Sequence, residues 1–257
     1  MEKLRLDLLL VERGLCESRE KAKRAIMAGQ VLVAGQVTDK PSAEVATDAA
    51  IELKAEEKFV SRGGHKLEAA LDHFKIHVAG AVCADLGAST GGFTDCLLQR
   101  GAARIHAVDV GKGQLAYKLR RDPRIVVHDG INARHLQRQQ IGEAADIVTM
   151  DLAFIGLAKV LPAAKELLKP AGGKEPGSGS TTCDTGVIIA LIKPQFEAGP
   201  KDVGKGGVVK DPAVHKRVVE AVRTFATKEL GLRCDGVIES PLLGPAGNKE
   251  FLICLRR

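Results

Sequence analysis

The sequence predicts an α/β protein in two parts, a large domain on a parallel sheet with helices on both faces and a small α+β domain before it. Three observations carry this. From Val82 onward short apolar runs alternate with helical stretches, which calls for a parallel sheet. The first 60 residues read instead as two short helices followed by small strands. The length, 257 residues, exceeds the usual size of a single domain.

In the small domain Asp7 to Gly14 reads as a first helix, with Leu9 and Leu10 inside it. Ser18 is a natural N-cap for a second helix ending near Met27, because Ala22 and Ile26 stand four apart and Gly29 follows. Arg19 and Lys23 share a face of that helix, with Lys21 and Arg24 alongside, giving a compact cationic patch. Val31 and Val33 then alternate about Leu32, Gly35 turns the chain, Val37 resumes it and Pro41 stops it.

In the large domain strands are expected at Val82–Gly87, Ile105–Val110, Ile125–Asp129, Ile147–Asp151 and Val187–Lys193. Two more, Cys234–Glu239 and Glu250–Leu255, flank a Pro/Gly-rich turn, so five crossovers and a closing hairpin make seven strands. The stretch Pro170–Gly186 is rich in Gly, Pro, Ser and Thr and reads as a loop.

Composition narrows the functional classes. No apolar run approaches the ~18 residues that span a bilayer, and the first residues lack a signal-peptide stretch, so a cytoplasmic protein without membrane contact is expected. The six cysteines are scattered without a Cys-x-x-Cys or a paired histidine, which predicts free thiols and no metal site. A net charge of +6 favours a polyanionic partner. Residues 1 to 60, however, carry 10 Lys and Arg against 11 Asp and Glu, so only a local cluster can make that segment an RNA binder. One Tyr, no Trp and seven Phe argue against a broad stacking platform and for recognition of shape and phosphate.

The segment from Asp85 through Gly87, Ala88, Ser89, Thr90, Gly91, Gly92 and Phe93 leaves the first large-domain strand and enters a helix. Its glycines let backbone approach a ligand. Ser89 breaks the dinucleotide Gly-x-Gly-x-x-Gly pattern, and no Gly-Lys phosphate loop is present, so NAD and ATP lose support. Asp85 suits a cofactor with a cationic amino acid end, and Asp109, closing the next strand, suits ribose hydroxyls. Asn132, after the third strand, is expected to reach an adenine edge. An ammonium, a ribose and no phosphate together describe S-adenosylmethionine.

Asp151 and Lys193 end otherwise apolar strands, where sites of this architecture form. A ribose hydroxyl must lose its proton during methyl transfer, and Lys193 is the base expected if desolvation or a neighbouring cation keeps it neutral.

The order of helices, Gly-x-Val-x-Val hairpin and Pro resembles the S4-type RNA-binding domain, and the seven-strand pattern is that of class I, Rossmann-like methyltransferases. Nearly the whole chain resembles the hemolysin A (TlyA) family of ribosomal RNA 2′-O-methyltransferases, an S4-type domain joined to an FtsJ-type methyltransferase. The resemblance rests on Ser61-Arg-Gly-Gly-His-Lys66-Leu, Asp85 to Asp95, Asp109-Val-Gly-Lys-Gly-Gln-Leu-Ala, Asp151-Leu-Ala-Phe-Ile, Lys193-Pro-Gln-Phe-Glu and Gly244-Pro-Ala-Gly-Asn-Lys-Glu250-Phe.

That resemblance implies a catalytic tetrad of Lys66, Asp151, Lys193 and Glu250, the Asn-x-Glu-Phe context favouring Glu250 over Glu239. It also implies S-adenosylmethionine as cofactor and a cytidine ribose of ribosomal RNA or a ribosomal subunit as target. The implied target is 23S, with 16S as well in some members; members acting on both extend further at the C-terminus, which favours 23S alone. It divides the chain into residues 1–57 for RNA binding, 58–62 as linker and 63–257 for methyl transfer. Arg5, Arg19, Lys21, Lys23 and Arg24 are the expected RNA contacts, and a monomer is expected when free. The rival readings are a membrane-active hemolysin and a non-catalytic ribosome-binding factor.

Overall fold

The computed structural model describes residues 2–54, 57–170 and 186–257. Most of the expected Gly/Pro/Ser/Thr loop therefore lies outside the described residues. By contacts the chain divides into two compact units, Met1–Lys58 and Phe59–Arg257.

The first unit runs β1 (Lys3–Arg5), α1 (Leu6–Glu12), α2 (Arg19–Met27), β2 (Val31–Val33), β3 (Gln36–Val37), β4 (Glu44–Ala46) and β5 (Ile51–Leu53). Ser18 caps α2, its hydroxyl accepting from the Lys21 amide. Between β2 and β3 a two-residue turn, Ala34-Gly35, has both φ angles positive, as a tight hairpin demands. Two small antiparallel sheets result, β1 with β4 and β3-β2-β5. Leu6, Leu9, Leu10, Ala22, Ala25, Ile26, Val31 and Val45 close the core beneath the helices. Strands β1, β4 and β5 lie outside the sequence-based expectation; at three residues each they are too short to show alternation.

The second unit runs α3 (Gly63–His73), β6 (Val82–Leu86), α4 (Gly92–Gln99), β7 (Arg104–Asp109), α5 (Tyr117–Arg120), β8 (Ile125–Asp129), α6 (Arg138–Ile141), β9 (Ile147–Met150), α7 (Leu161–Leu167), β10 (Val187–Ile192), α8 (Pro194–Glu197), α9 (Pro212–Thr224), β11 (Arg233–Glu239) and β12 (Phe251–Arg256). Seven strands form one sheet in the order β11-β12-β10-β9-β6-β7-β8. Strands β10 to β8 are mutually parallel, whereas β12 lies antiparallel between β10 and β11. Each face carries its own core, one with Leu67, Leu71 and Leu97 from α3 and α4, the other with Leu161, Val218 and Val222 from α7 and α9.

The sheet order reverses between β6 and β9, where one path of crossovers turns away to β7 and β8 and the other to β10. Such a switch point opens a crevice at the carboxyl ends of the strands. Asp151 directly follows β9 and Lys193 directly follows β10, while Glu250 directly precedes β12. Because β12 is antiparallel to β10, its first residue pairs with Ile192, so Glu250 arrives at the same end as Lys193.

Candidate active site

A cavity of about 320 Å³ opens at that crevice. It is lined by the glycine loop (Gly87, Ala88, Ser89, Thr90, Gly92, Phe93) and by Lys66, Asp151, Lys193 and Glu250, together with Ser61, Arg62, Gly63, Ala153 and Pro245. The structure thus gathers residues far apart in the chain, Lys66 and Glu250 being separated by 184 positions.

Four of the lining side chains form two ion pairs. Lys66 Nζ donates to Glu250 Oε2 at 2.5 Å, with both side chains almost wholly removed from solvent. Lys193 Nζ lies 2.7 Å from Asp151 Oδ1, in a charge contact that lacks hydrogen-bond alignment, so Asp151 Oδ1 is a buried acceptor without a hydrogen bond. Glu250 Oε1 is a second such acceptor and Gln195 Oε1, two residues after Lys193, a third. Buried acceptors of this kind are uncommon in folded proteins, and three of them stand at or beside this cavity. The paired charges cancel, and exposed Arg62 adds one positive charge at the rim.

The glycine loop is shaped by close approach. Gly87 has φ +84°, and a Cβ there would come within 2.6 Å of the Asp151 carbonyl oxygen. A Cβ on Gly92 would meet Ser61 Oγ at 2.2 Å and the Gly64 amide nitrogen at 2.9 Å. Backbone from β6, β9 and the start of α3 therefore converges without side chains between. Gly91 caps α4 in a left-handed conformation at φ +103°.

Four residues expected at the cofactor site, Asp85, Gly91, Asp109 and Asn132, do not line this cavity. Asp85 is fully buried and accepts from Thr94 Oγ1 at 2.7 Å and Thr149 Oγ1 at 2.9 Å. Burial raises its pKa to about 6, against the lowering effect of the two threonines. Both of its oxygens are engaged within the protein, so it anchors the loop.

Asp109 accepts from the Ser89 amide at 2.8 Å on one oxygen and from the Gly111 amide at 2.7 Å on the other. Each carboxylate oxygen keeps a further lone pair. Asn132 Oδ1 accepts from the Arg134 amide at 3.0 Å and caps a short turn, which leaves its NH₂ group for a ligand. Among the described residues no cluster of three or more His, Cys, Asp or Glu side chains could hold a metal ion.

The sequence reading placed Ser61, Arg62, Pro245 and Asn248 within its motifs but gave none of them a place in the site. Asn248 is buried, donating to the Gly207 carbonyl and accepting from the Val209 amide, which ties the loop after α8 to the turn bearing Glu250. A lone Asn between Gly247 and Lys249 carries no sequence signal of that bridge. Phe154, three residues after Asp151, is 90% exposed at φ +63°, with its ring 5.1 Å from Phe196. It offers one aromatic face near the site.

In the first unit the expected basic patch is more neutral than its residue count implies. Lys21 pairs with Glu17, and Lys23 with Glu20 at 3.1 Å. Arg5 and Arg19 both pair with Asp7. Among the described residues Arg24 has no ion-pair partner.

Residues 59–257 match the family profile described as FtsJ-like methyltransferase, and residues 4–51 match that of the S4 domain. A protein of Mycobacterium tuberculosis named 16S/23S rRNA (cytidine-2′-O)-methyltransferase TlyA is 48% identical over 254 residues, covering 98% of this chain and 89% of its own. Hemolysin A of Brachyspira hyodysenteriae is 38% identical, covering 97% and 98%. A solved Streptococcus thermophilus protein with a provisional hemolysin name superposes with a TM-score of 0.71 at 39% identity, covering 100% of this chain and 89% of that one.

Proposed function

Since the chain belongs to the FtsJ-like methyltransferases and carries an S4 domain as the TlyA proteins do, we propose that it methylates the 2′-hydroxyl of a cytidine in 23S ribosomal RNA, with S-adenosylmethionine as donor. The observation that carries this reading is the pair of lysine–carboxylate contacts, Lys66–Glu250 and Lys193–Asp151, flanking a glycine loop in one cavity.

The donor set suits this cofactor. The loop from Gly87 to Phe93 has no Lys or Arg to neutralise a phosphate, while Asp109 has acceptor capacity left for a ribose diol and Asn132 an NH₂ for a base edge. Gly87, Ala88, Ser89, Thr90, Gly91, Gly92 and Phe93 cradle it, and Asp85 braces that cradle through Thr94 and Thr149. When bound, S-adenosylmethionine supplies a sulfonium methyl group for in-line transfer.

The chain's own work is proton transfer and orientation. Lys193 Nζ, in its neutral form, takes the proton of the ribose hydroxyl as the oxygen attacks. Asp151 holds the Lys193 head in the cavity, and Lys66 holds Glu250 through Oε2, which leaves Oε1 as an acceptor at the site. Residues 1–57 bind RNA through Arg5, Arg19, Lys21, Lys23 and Arg24, residues 58–62 link, and residues 63–257 carry out transfer, in the cytoplasm where ribosomes are made. No described helix is long and apolar enough to cross a membrane, so nothing in the described helices favours a pore-forming reading.

The test is Lys193→Ala with labelled cofactor and 23S rRNA, the product mapped for 2′-O-methyl positions. Removal of a positioned base is expected to slow transfer by roughly 10²–10⁴-fold, with cofactor binding by calorimetry preserved. Undiminished methylation would remove Lys193 from the mechanism. Methylation of 16S RNA in the same assay would widen the substrate.

A further inference from the structure

The corner between β1 and α1 holds a carboxylate in an arrangement that the methyl-transfer reading does not use. Asp7 is fully buried, yet it is ionised between two arginines. Arg5 grips it with two bonds, Nε to Oδ1 at 3.0 Å and an Nη to Oδ2 at 3.1 Å. From twelve residues further on, Arg19 donates Nε to Oδ2 at 2.9 Å. The two arginine side chains remain 42% and 48% exposed. We propose that Asp7 is a positioning residue for RNA, gathering the Arg5 and Arg19 guanidiniums into one fixed fork that takes backbone phosphates.

Donor counting supports the fork. A guanidinium carries five N–H groups in a rigid plane. Arg5 spends two on Asp7 and Arg19 spends one, which leaves three and four for a ligand. The triad also keeps one net positive charge, since two cations share one anion. A buried carboxylate needs only one such partner to be compensated, and buried ion pairs add little stability over apolar packing. What the second arginine adds is a second fork, oriented by the same anchor.

The neighbouring pairs are built differently. Lys21 and Lys23 meet Glu17 and Glu20, whose side chains are 81% and 76% exposed and therefore free to swing and screened by salt. Asp7 cannot follow solvent. Its main chain is tied as well, the Asp7 amide donating to the Pro41 carbonyl and the Leu6 amide to Ala43. The arginines hold its pKa down at about 2, so the anchor keeps its charge at any pH at which RNA is bound.

This inference rests on the reading of the first unit as RNA-binding, and the sign of one experiment separates the two. Removing a negative charge from an RNA-binding face strengthens binding if charge alone matters. Asp7→Asn is expected instead to weaken binding of the full chain to a 23S rRNA transcript, by roughly five- to twentyfold for the loss of charge-assisted alignment. The slope of log affinity against log salt should fall by about one.

Arg5→Gln and Arg19→Gln should each weaken binding. Should both bind like the parent, RNA recognition by this unit fails; should they weaken binding while Asp7→Asn does not, only the positioning role fails. A thermal melt reports whether Asp7→Asn is folded. If it is not, Arg5→Lys and Arg19→Lys decide. They keep the charge and lose the fork, so they should lose nearly as much affinity as the glutamines, and full retention by the lysine variants overturns the proposal.

Discussion

The Lys66–Glu250 pair allows a quantitative test of whether the site rests on a buried charge pair. Lys66 is 6% exposed and Glu250 1% exposed, with 2.5 Å between the charged atoms. Lys66→Met retains the volume and removes the cation, leaving an uncompensated carboxylate in the protein interior. Breaking such a pair from one side costs about 3–5 kcal/mol. Glu250→Gln keeps an acceptor for the ammonium and should cost less, about 1.5–3 kcal/mol, as for a lost charged hydrogen bond. In Lys66→Met with Glu250→Gln no charge is stranded, and the double variant should be more stable than the sum of the singles by at least about 2 kcal/mol. Because the chain has two units, one melt would mix their transitions. Urea-dependent amide exchange in α3 and β12 reports the contact locally. All three variants should fail to methylate. If the single costs simply add, the pair is not an energetic unit, and the argument from burial is wrong.

Two further outcomes concern the glycine loop. Asp85 has a folded pKa raised to about 6 against 3.8 for the free group, so its favourable protonated state is fully available below about pH 4 and is lost as pH rises through 6. Asp85→Asn should therefore gain stability relative to the parent between pH 4 and pH 7.5, by at most about 3 kcal/mol; a pH-independent offset between the two in amide exchange of β6 would contradict burial as the cause. Gly92→Ala should cost about 1–3 kcal/mol in urea denaturation and weaken cofactor binding, because the Gly64 backbone nitrogen at 2.9 Å cannot swing aside. Adding Ser61→Ala, which removes only the Oγ contact, should not restore it.

The large domain is legible in sequence because its strands are buried on both faces and end abruptly in polar residues. Val187–Ile192 is buried at all six positions, and Lys193 follows at once. Contacts across the chain leave no such mark. Nothing local to Lys66 points to Glu250, which the resemblance alone brought forward. Thr94 and Thr149 look like ordinary helix and strand residues until Asp85 is seen between them. The basic face of α2 was overstated although the correction was readable, since Glu17 precedes Lys21 by four positions and Glu20 precedes Lys23 by three. Asn132 was expected to reach an adenine edge, and nothing in the sequence shows that its Oδ1 is taken by the Arg134 amide, as a side chain at the start of a short turn satisfies backbone first.

The placement of β12 has a consequence for the order in which the enzyme comes to exist. The strand enters the sheet between β10 and β11, although among the described strands it comes last along the chain. Lys66 is made 184 residues before the carboxylate that compensates it. No nascent chain that stops short of β12 can bury Lys66 with its partner, so the ammonium must stay in water while the rest of the sheet assembles. Closure of that long loop is entropically late. A chain without β12 therefore has the other strands, the helices and the S4 unit but no finished site, and competence is switched on only when β12 enters the sheet.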